Sequence, residues 1–222
     1  MIIRGYGIEL ILLREEDIEL VRQKRNSELV RRHMEFREEI TPAMQQAWFR
    51  SVNNERNNYY LIAGEGKKVG LINGAQVDWE KKETGNGGIF IWEESSWNTL
   101  VPLSASLLLT DISFLIGLER IYVKVLRDNP KAIAFNKQLG YELLPGQEEI
   151  YNQGYVLREP AYRAATEKLK APLQKLFGER FYCIMDDPSQ PFAQKIAALH
   201  PQLSEEKKKK FTLVFEAPEH GR

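Results

Sequence analysis

The sequence has little cysteine and histidine, and it lacks both a charge excess and a long apolar run. Its one cysteine, Cys183, excludes an intramolecular disulfide and fits a reducing compartment, so we expect a cytoplasmic protein. The three histidines, His33, His200 and His220, lie far apart without metal-ligand spacing, so we expect no metal site. The longest segment without a charged residue, 95–110, is too short and too polar to span a bilayer.

The charges balance, since the 222 residues contain 31 Lys or Arg and 31 Asp or Glu. A bulk nucleic-acid binder is normally basic, so this balance argues against a nucleic-acid partner. The length and the 43% hydrophobic content are those of a globular protein with one domain and an appendage, or with two small domains. Residues 1–13 lack a signal-peptide pattern because Arg4 and Glu9 interrupt the apolar residues.

Hydrophobic periodicity and helix-capping residues predict a mixed α/β fold. Thr41-Pro42 is typical of a helix start, because the hydroxyl caps free N–H groups and proline is tolerated in the first turn. Asn129-Pro130 begins a later helix in the same way, and Gly140 ends it. The expected order is β-α-α-β-β-β-α-β-α-β-β, with strands at 8–13, 59–63, 69–72, 88–92, 121–125, 141–144 and 150–157, and later helices at 100–118 and 131–139.

The most specific pattern lies in residues 125–141. It runs from a strand end through Asn129 into a helix that closes on Asn-Lys-Gln-Leu-Gly-Tyr141, and it resembles the corresponding motif of the GNAT superfamily of acyl-CoA-dependent N-acetyltransferases. Residues further upstream are similar to the branch that acetylates ribosomal-protein N-termini and equally to the branch that acetylates amino-sugars. These residues are Arg25-Asn26, Arg32-His33-Met34, Ile40-Thr41-Pro42 and Trp48-Phe49. The resemblance covers residues 6–165.

The resemblance implies a mostly antiparallel sheet with one splayed strand pair, flanked by helices, and acetyl-CoA as the cosubstrate. The pantetheine arm would pair with the splayed strand, Gly88–Glu93, through Ile91 and Trp92. Asn129 would hydrogen-bond the same arm, the alternative being a plain helix cap. The pyrophosphate would lie on N–H groups at the start of the next helix. The residues expected there are Asn98, Thr99, Leu100, Val101 and Leu103.

Three residues depart from the family's pyrophosphate loop, which usually reads Arg/Gln-x-x-Gly-x-Gly/Ala. Trp97 replaces the basic or amide residue, Leu100 the first glycine and Pro102 the second small residue. A proline removes one N–H donor, and the Cβ of a leucine limits the close approach of a phosphate. Three interpretations stay open: CoA bound in an altered way, a weakened site, or a fold that no longer binds CoA.

Acetyl transfer to an amine needs a base and a proton donor. Glu93, at the end of the splayed strand, could take a proton from the ammonium through water, the alternative being a solvated strand end. Asn136 stands where many members of the family place a proton-donating tyrosine. Its amide can hydrogen-bond the cofactor but cannot act as an acid at neutral pH. Tyr141, Tyr122 and water are left as proton donors.

The character of the sequence changes after residue 162. We expect a GNAT-like domain at 1–165 and a mainly helical C-terminal extension at 166–222. Apolar spacing in and around this extension predicts helices at 164–177 and 192–199, followed by a short strand, Phe211–Phe215.

Two functions remain open at this level. The first is a cytoplasmic N-acetyltransferase that works by direct attack of a primary amine, which could belong to a protein N-terminus, an amino-sugar or another small molecule. The second is a non-catalytic GNAT-fold module whose altered loop serves another ligand or a partner protein. A third hypothesis adds a homodimer formed by edge-to-edge pairing of Phe211–Phe215. We expect no nucleic-acid or membrane partner.

Overall fold

The computed structural model describes residues 1–215 and places ten β-strands in them. The strands are β1 (Ile2–Gly5), β2 (Ile8–Leu12), β3 (Asn58–Gly64), β4 (Lys67–Ala75), β5 (Glu83–Ile91), β6 (Arg120–Leu126), β7 (Glu142–Leu143), β8 (Asn152–Arg158), β9 (Phe181–Met185) and β10 (Phe211–Phe215). All ten join one sheet in the order β10-β9-β1-β2-β3-β4-β5-β6-β8-β7. Neighbours are antiparallel except β5–β6 and β9–β10. This confirms the predicted mixed, mostly antiparallel sheet.

Helices cover both faces of this sheet. They are α1 (Ile18–Asn26), α2 (Glu28–Arg31), α3 (Pro42–Val52), α4 (Val101–Leu115), α5 (Pro130–Gln138), α6 (Glu159–Phe177), α7 (Pro191–Leu199) and α8 (Glu205–Lys210). Alternate residues of a strand point to opposite faces. Leu61 packs with α1 and α3, whereas Tyr60 and Ile62 pack in the cluster that contains α4 and α5. No helix within residues 1–215 combines the length and apolarity needed to cross a bilayer.

The two predicted caps form as expected. The Thr41 hydroxyl accepts a hydrogen bond from the Met44 N–H (3.2 Å) at the start of α3. The Asn129 side chain likewise accepts from the Ala132 N–H (3.1 Å) at the start of α5. Each cap satisfies one N–H that the helix itself leaves without an acceptor.

A gap opens in the sheet between β5 and β6. The two strands pair only as far as Gly87 and Val123, although each continues for several residues. Beyond that point β4 holds β5 as far as Ile91, and β8 holds β6 as far as Leu126. Because each strand follows its other neighbour, the pair diverges, as the splayed pair in the sequence-based prediction requires.

The C-terminal extension continues the sheet. β9 pairs with β1, and β10 lies parallel to β9 at the sheet edge. The strand predicted at Phe211–Phe215 is present, whereas β9 was not predicted. Phe181 and Cys183 of β9 share one buried cluster with Ile3 of β1, and the predicted boundary at residue 165 lies inside α6.

Phe181→Ala should therefore destabilise the whole chain, although it lies in the extension. Phe181 is only 5% exposed, and the centroid of its ring lies 5.2 Å from that of Tyr6. The truncation should therefore lower the free energy of unfolding by about 3–5 kcal/mol. All four tryptophans precede residue 98. The measurement is denaturant unfolding followed by tryptophan fluorescence, whose midpoint should fall together with that of the circular dichroism signal.

Tyr182→Ala is the matched control for this test. Tyr182 is the next residue of β9, and its side chain is 43% exposed, so its loss should cost about 1 kcal/mol or less. A fluorescence midpoint that stays at the wild-type value in Phe181→Ala would show that the extension folds independently.

Candidate active site

A cleft of about 1120 Å³ passes through the gap between β5 and β6. On one face of the sheet it lies between α4 and α5, where hydroxyl and apolar side chains line it. These include Ser106, Leu109, Thr110, Ser113 and Phe135. On the other face α1, α2 and the loop after α2 enclose it. The side chains there include Arg25, Arg32, His33, Met34 and Glu35. The cleft therefore joins two differently lined halves through the sheet.

Every second residue of β5 directs its backbone groups into the gap. The Trp92 N–H donates to the Val69 carbonyl (2.9 Å), so this pair bonds β5 to β4. Bonded pairs alternate in an antiparallel ladder, so Phe90 also bonds to β4, whereas Ile89 and Ile91 face β6. The pairing with β6 has already ended there, so these N–H and C=O groups have no strand beside them.

Trp97 already hydrogen-bonds one of the backbone groups that face the gap. Its indole Nε1 donates to the Ile91 carbonyl at 3.0 Å, and the residue lines the cleft. A ligand that pairs with the Ile91 carbonyl must therefore displace this indole.

Trp92 lies apart from the cleft. Its side chain is buried on the α1–α3 face, and its Nε1 donates to the Lys68 carbonyl (2.9 Å). Its N–H is engaged by Val69 and the residue is 4% exposed, so neither the N–H nor the indole is available to the cofactor that the family resemblance suggested.

The turn before α4 offers few N–H groups. The residues predicted to bind a pyrophosphate there are Asn98, Thr99, Leu100, Val101 and Leu103. The Val101 N–H donates to the Thr99 hydroxyl (3.2 Å), and Pro102 has no N–H. Within residues 1–215 the N–H groups of Asn98, Leu100 and Leu103 have no acceptor. The side chain of Leu100 is 55% exposed, beside the start of the helix.

The α5 side of the cleft carries two amides and a phenol. Asn129 lines the cleft while it caps α5. Asn136 lines it one helical turn later than Ala132, to whose carbonyl its Nδ2 donates (2.8 Å). Burial raises the pKa of Tyr141, so this phenol keeps its proton at neutral pH and can act as a hydrogen-bond donor.

Glu93 follows β5 but does not line the cleft. Its N–H donates to the Val69 carbonyl (3.3 Å), and its carboxylate lies 3.4 Å from the Lys24 Nζ on α1. A proton could pass from the cleft to this carboxylate only through water.

His33 is a functional candidate that the sequence analysis missed. It lines the cleft, and Arg32 Nε donates to its Nε2 at 3.1 Å, which only the unprotonated ring allows. Partial desolvation of this exposed ring and the neighbouring Arg32, Lys131 and Arg37 lower the pKa of His33, while Asp128 opposes them. The imidazole is therefore neutral at pH 7 and can accept a proton. The spacing of the three histidines in the sequence bears only on metal binding, and the position of this ring depends on the fold of the loop after α2.

Metal ligands are not grouped in the part of the chain that the structure describes. Within residues 1–215 no three His, Cys, Asp or Glu side chains come close enough to hold an ion. His220 lies outside the described residues. Burial raises the pKa of the Cys183 thiol to about 12, which makes it a poor nucleophile.

Comparison with known proteins relates the chain to acetyltransferases. A family model described as an acetyltransferase (GNAT) domain matches residues 8–142. FdhC, a nucleotide-linked sugar GNAT, is 19% identical with a TM-score of 0.63, covering 76% of this chain and 96% of that one. Spermidine N-acetyltransferase from Vibrio cholerae, in complex with CoA and spermine, is 15% identical with a TM-score of 0.61, covering 71% and 99%.

A domain from Methanocaldococcus jannaschii is 21% identical with a TM-score of 0.58, covering 68% of this chain and 97% of that one. At these identities the likeness to solved structures concerns the fold. No protein of curated function matches the chain.

The electrostatic setting of His33 can be tested directly. Arg32→Gln should raise the pKa of His33, because a cation that opposes the imidazolium is removed, and Asp128→Asn should lower it further. The measurement is an NMR titration of the ring protons. Arg31→Gln is the control, since Arg31 pairs with Glu28 (2.8 Å) and does not line the cleft. Equal shifts in the two arginine variants would contradict this assignment.

Proposed function

Because the chain belongs to the GNAT acetyltransferase family, we propose that it transfers an acetyl group from acetyl-CoA to a primary amine. The amine nitrogen attacks the thioester carbonyl directly. The acceptor is a protein N-terminus, an amino-sugar or another small amine. The observation that carries this proposal is the open gap, where Ile89 and Ile91 direct backbone groups that bond to no strand into a cleft that crosses the sheet.

The residues at the gap fit the pantetheine arm. Acetyl-CoA would supply the activated thioester carbonyl. Ile89 and Ile91 can bind the amides of the arm as a sheet binds an added strand, and Asn129 lines the cleft at the N-cap of α5. Ser106, Thr110 and Asn136 add polar groups to a mainly apolar channel between α4 and α5.

The residues at the start of α4 fit a pyrophosphate less well. The N–H groups of Leu100 and Leu103 and the positive end of the α4 dipole can bind a phosphate. Pro102 supplies no donor and Trp97 supplies no charge. We therefore expect a weaker hold on the phosphates than a glycine-rich loop would provide.

Two groups can take the proton of the amine. The neutral imidazole of His33 lines the cleft and is the more direct candidate. Glu93 is the other candidate, through water, since its carboxylate lies outside the lining and near Lys24. For the departing thiolate, the raised pKa of Tyr141 makes full proton transfer uphill, so this phenol would stabilise the sulfur by a hydrogen bond and water would supply the proton.

One observation favours a different function. The Trp97 indole already bonds the Ile91 carbonyl, and Leu100 and Pro102 stand at the turn where glycines would let a phosphate approach. A GNAT fold closed in this way would be a non-catalytic module that binds a different ligand. The two functions differ in whether CoA binds at all.

Calorimetric titration with CoA and acetyl-CoA separates the two functions. We expect binding in the micromolar to millimolar range, and Trp97→Phe should tighten it about fivefold because the Ile91 carbonyl is released from a hydrogen bond. Trp79→Phe is the control, since its indole bonds the Glu55 carbonyl (3.2 Å) away from the cleft. The enzyme proposal fails if neither ligand binds at millimolar concentration.

A second test concerns the register of the phosphate-binding turn. Leu100→Gly combined with Pro102→Gly should tighten CoA binding, because it restores one N–H donor and removes two side chains from the start of α4. The measurement is the same titration on a variant whose thermal unfolding shows an intact fold. An unchanged affinity would mean that the phosphates lie elsewhere.

The base can be identified by kinetics. His33→Gln should lower kcat/KM by about 100-fold or more with little change in acetyl-CoA affinity. In the wild type the acid limb of the pH profile should fall with an apparent pKa below 6.5, because the folded protein disfavours the imidazolium. If Glu93→Gln removes turnover and His33→Gln does not, proton removal belongs to Glu93.

A further inference from the structure

The half of the cleft enclosed by α1, α2 and the following loop carries a surplus of positive charge. Arg25 and Arg32 enter it from the helices and Lys124 enters it from β6. Lys124 faces this side because its neighbours Val123 and Val125 point into the core on the α4–α5 face. Glu35 and Asp128 are the acidic residues that line this half, so these three cations face two anions.

These cations are not neutralised within the part of the chain that the structure describes. In residues 1–215 none of the three forms an ion pair with a carboxylate within 4 Å. Arg25 donates to the Phe36 carbonyl (3.0 Å) and Arg32 to the neutral His33 ring (3.1 Å). Glu35 is engaged elsewhere, since it accepts from Asn152 Nδ2 at 2.8 Å.

A second observation supports a positive potential at this place. The pKa of His33 is lowered by partial desolvation and by three surrounding cations, and Asp128 opposes them. The Asp128 carboxylate accepts from the Tyr151 hydroxyl (2.8 Å), so its nearest partner is a neutral group. Clustered cations that outnumber the nearby anions cost free energy, which a bound anion would recover.

These cations are separate from the place proposed for the CoA phosphates. The start of α4 lies on the opposite face of the sheet, since α4 packs in the cluster that holds Tyr60 and Ile62, whereas α1 packs against Leu61. An acetyl-CoA molecule whose pantetheine arm passes through the gap would place its acetyl end, and not its phosphates, toward Arg32 and Lys124. A different anion must therefore match them.

We propose that the amine acceptor carries an anionic group, a phosphate or a carboxylate, which Arg32 and Lys124 bind in the half of the cleft under α1 and α2. The proposal rests on the proposed function and narrows its substrate class. A polyamine such as the spermine bound to the Vibrio cholerae enzyme would meet repulsion here. An anion on Arg32 would also draw this guanidinium away from His33 Nε2 and leave that nitrogen open to the amine.

Binding of matched amines to the full chain tests the proposal without turnover. The probes are glucosamine 6-phosphate against glucosamine, 6-aminohexanoate against hexylamine, and spermidine, all by calorimetry. At least one anionic amine should bind about tenfold more tightly than its matched partner, and spermidine should bind weakest. The pair that shows the larger ratio distinguishes a phosphate from a carboxylate.

The double variant Arg32→Gln with Lys124→Gln locates the anion. Both side chains are exposed, so the fold should persist, and the affinity for the anionic amine should fall about tenfold or more. Arg31→Gln, at the neighbouring residue outside the cleft, should leave this affinity unchanged.

The proposal is overturned if spermidine binds tightest, if no anionic amine binds more tightly than its matched partner, or if the double variant binds the anionic amine as the wild type does. Anion binding without any acetyl-CoA binding would instead reject the proposed function.

Discussion

The divergence of β5 and β6 beyond Gly87 and Val123 is the constraint on which the site depends. β4 holds one strand and β8 holds the other, so the two cannot stay paired. A Cβ at Gly87 would lie 3.2 Å from the Val123 side chain and 3.3 Å from the Asn73 carbonyl, so glycine permits the close approach of the strands where they part. The backbone groups that bond to no strand beyond this point need water, a side chain or a ligand as a partner, and an extended chain in the gap could supply one.

The extension stabilises the helix that leads into this gap. Asp111 of α4 accepts from the Tyr6 hydroxyl (2.7 Å) and lies 2.5 Å from the Lys170 Nζ of α6. The Tyr162 hydroxyl of α6 donates to the Leu107 carbonyl (3.1 Å). These partly or fully buried contacts fasten the middle of α4 to the turn after β1 and to α6. The start of α4, where phosphates would bind, is therefore carried on a helix that cannot easily shift.

Local signals were sufficient for some elements and insufficient for others. The caps at Thr41 and Asn129 predicted α3 and α5, because a cap depends on residues within one turn. The family resemblance in residues 125–141 predicted the splayed pair. β9 was missed because its identity as a strand depends on pairing with β1, which lies far away in sequence. The extension was predicted as mainly helical with one strand at Phe211–Phe215, and the unpredicted β9 is what joins that strand to the sheet.

The site likewise depends partly on local sequence signals and partly on long-range packing. The resemblance places Ile91, Asn129 and Asn136 near a cofactor, and all three line the cleft, but it says nothing about which way a side chain turns. Trp92 turns into the core, and Trp97 turns onto the Ile91 carbonyl. His33 enters the cleft through the fold of a loop that carries no periodic pattern. These are consequences of register and packing, which single-residue patterns do not encode.

The most direct test of the account is amide hydrogen exchange along Gly88–Ile91 of β5, followed by NMR with and without CoA. Without CoA the account predicts slow exchange at Gly88 and Phe90, whose amides bond to β4, and fast exchange at Ile89 and Ile91, whose amides face the gap. Addition of CoA should slow exchange at Ile89 and Ile91 alone. Equal protection of all four amides without CoA, or unchanged exchange at Ile89 and Ile91 when CoA is added, would contradict it.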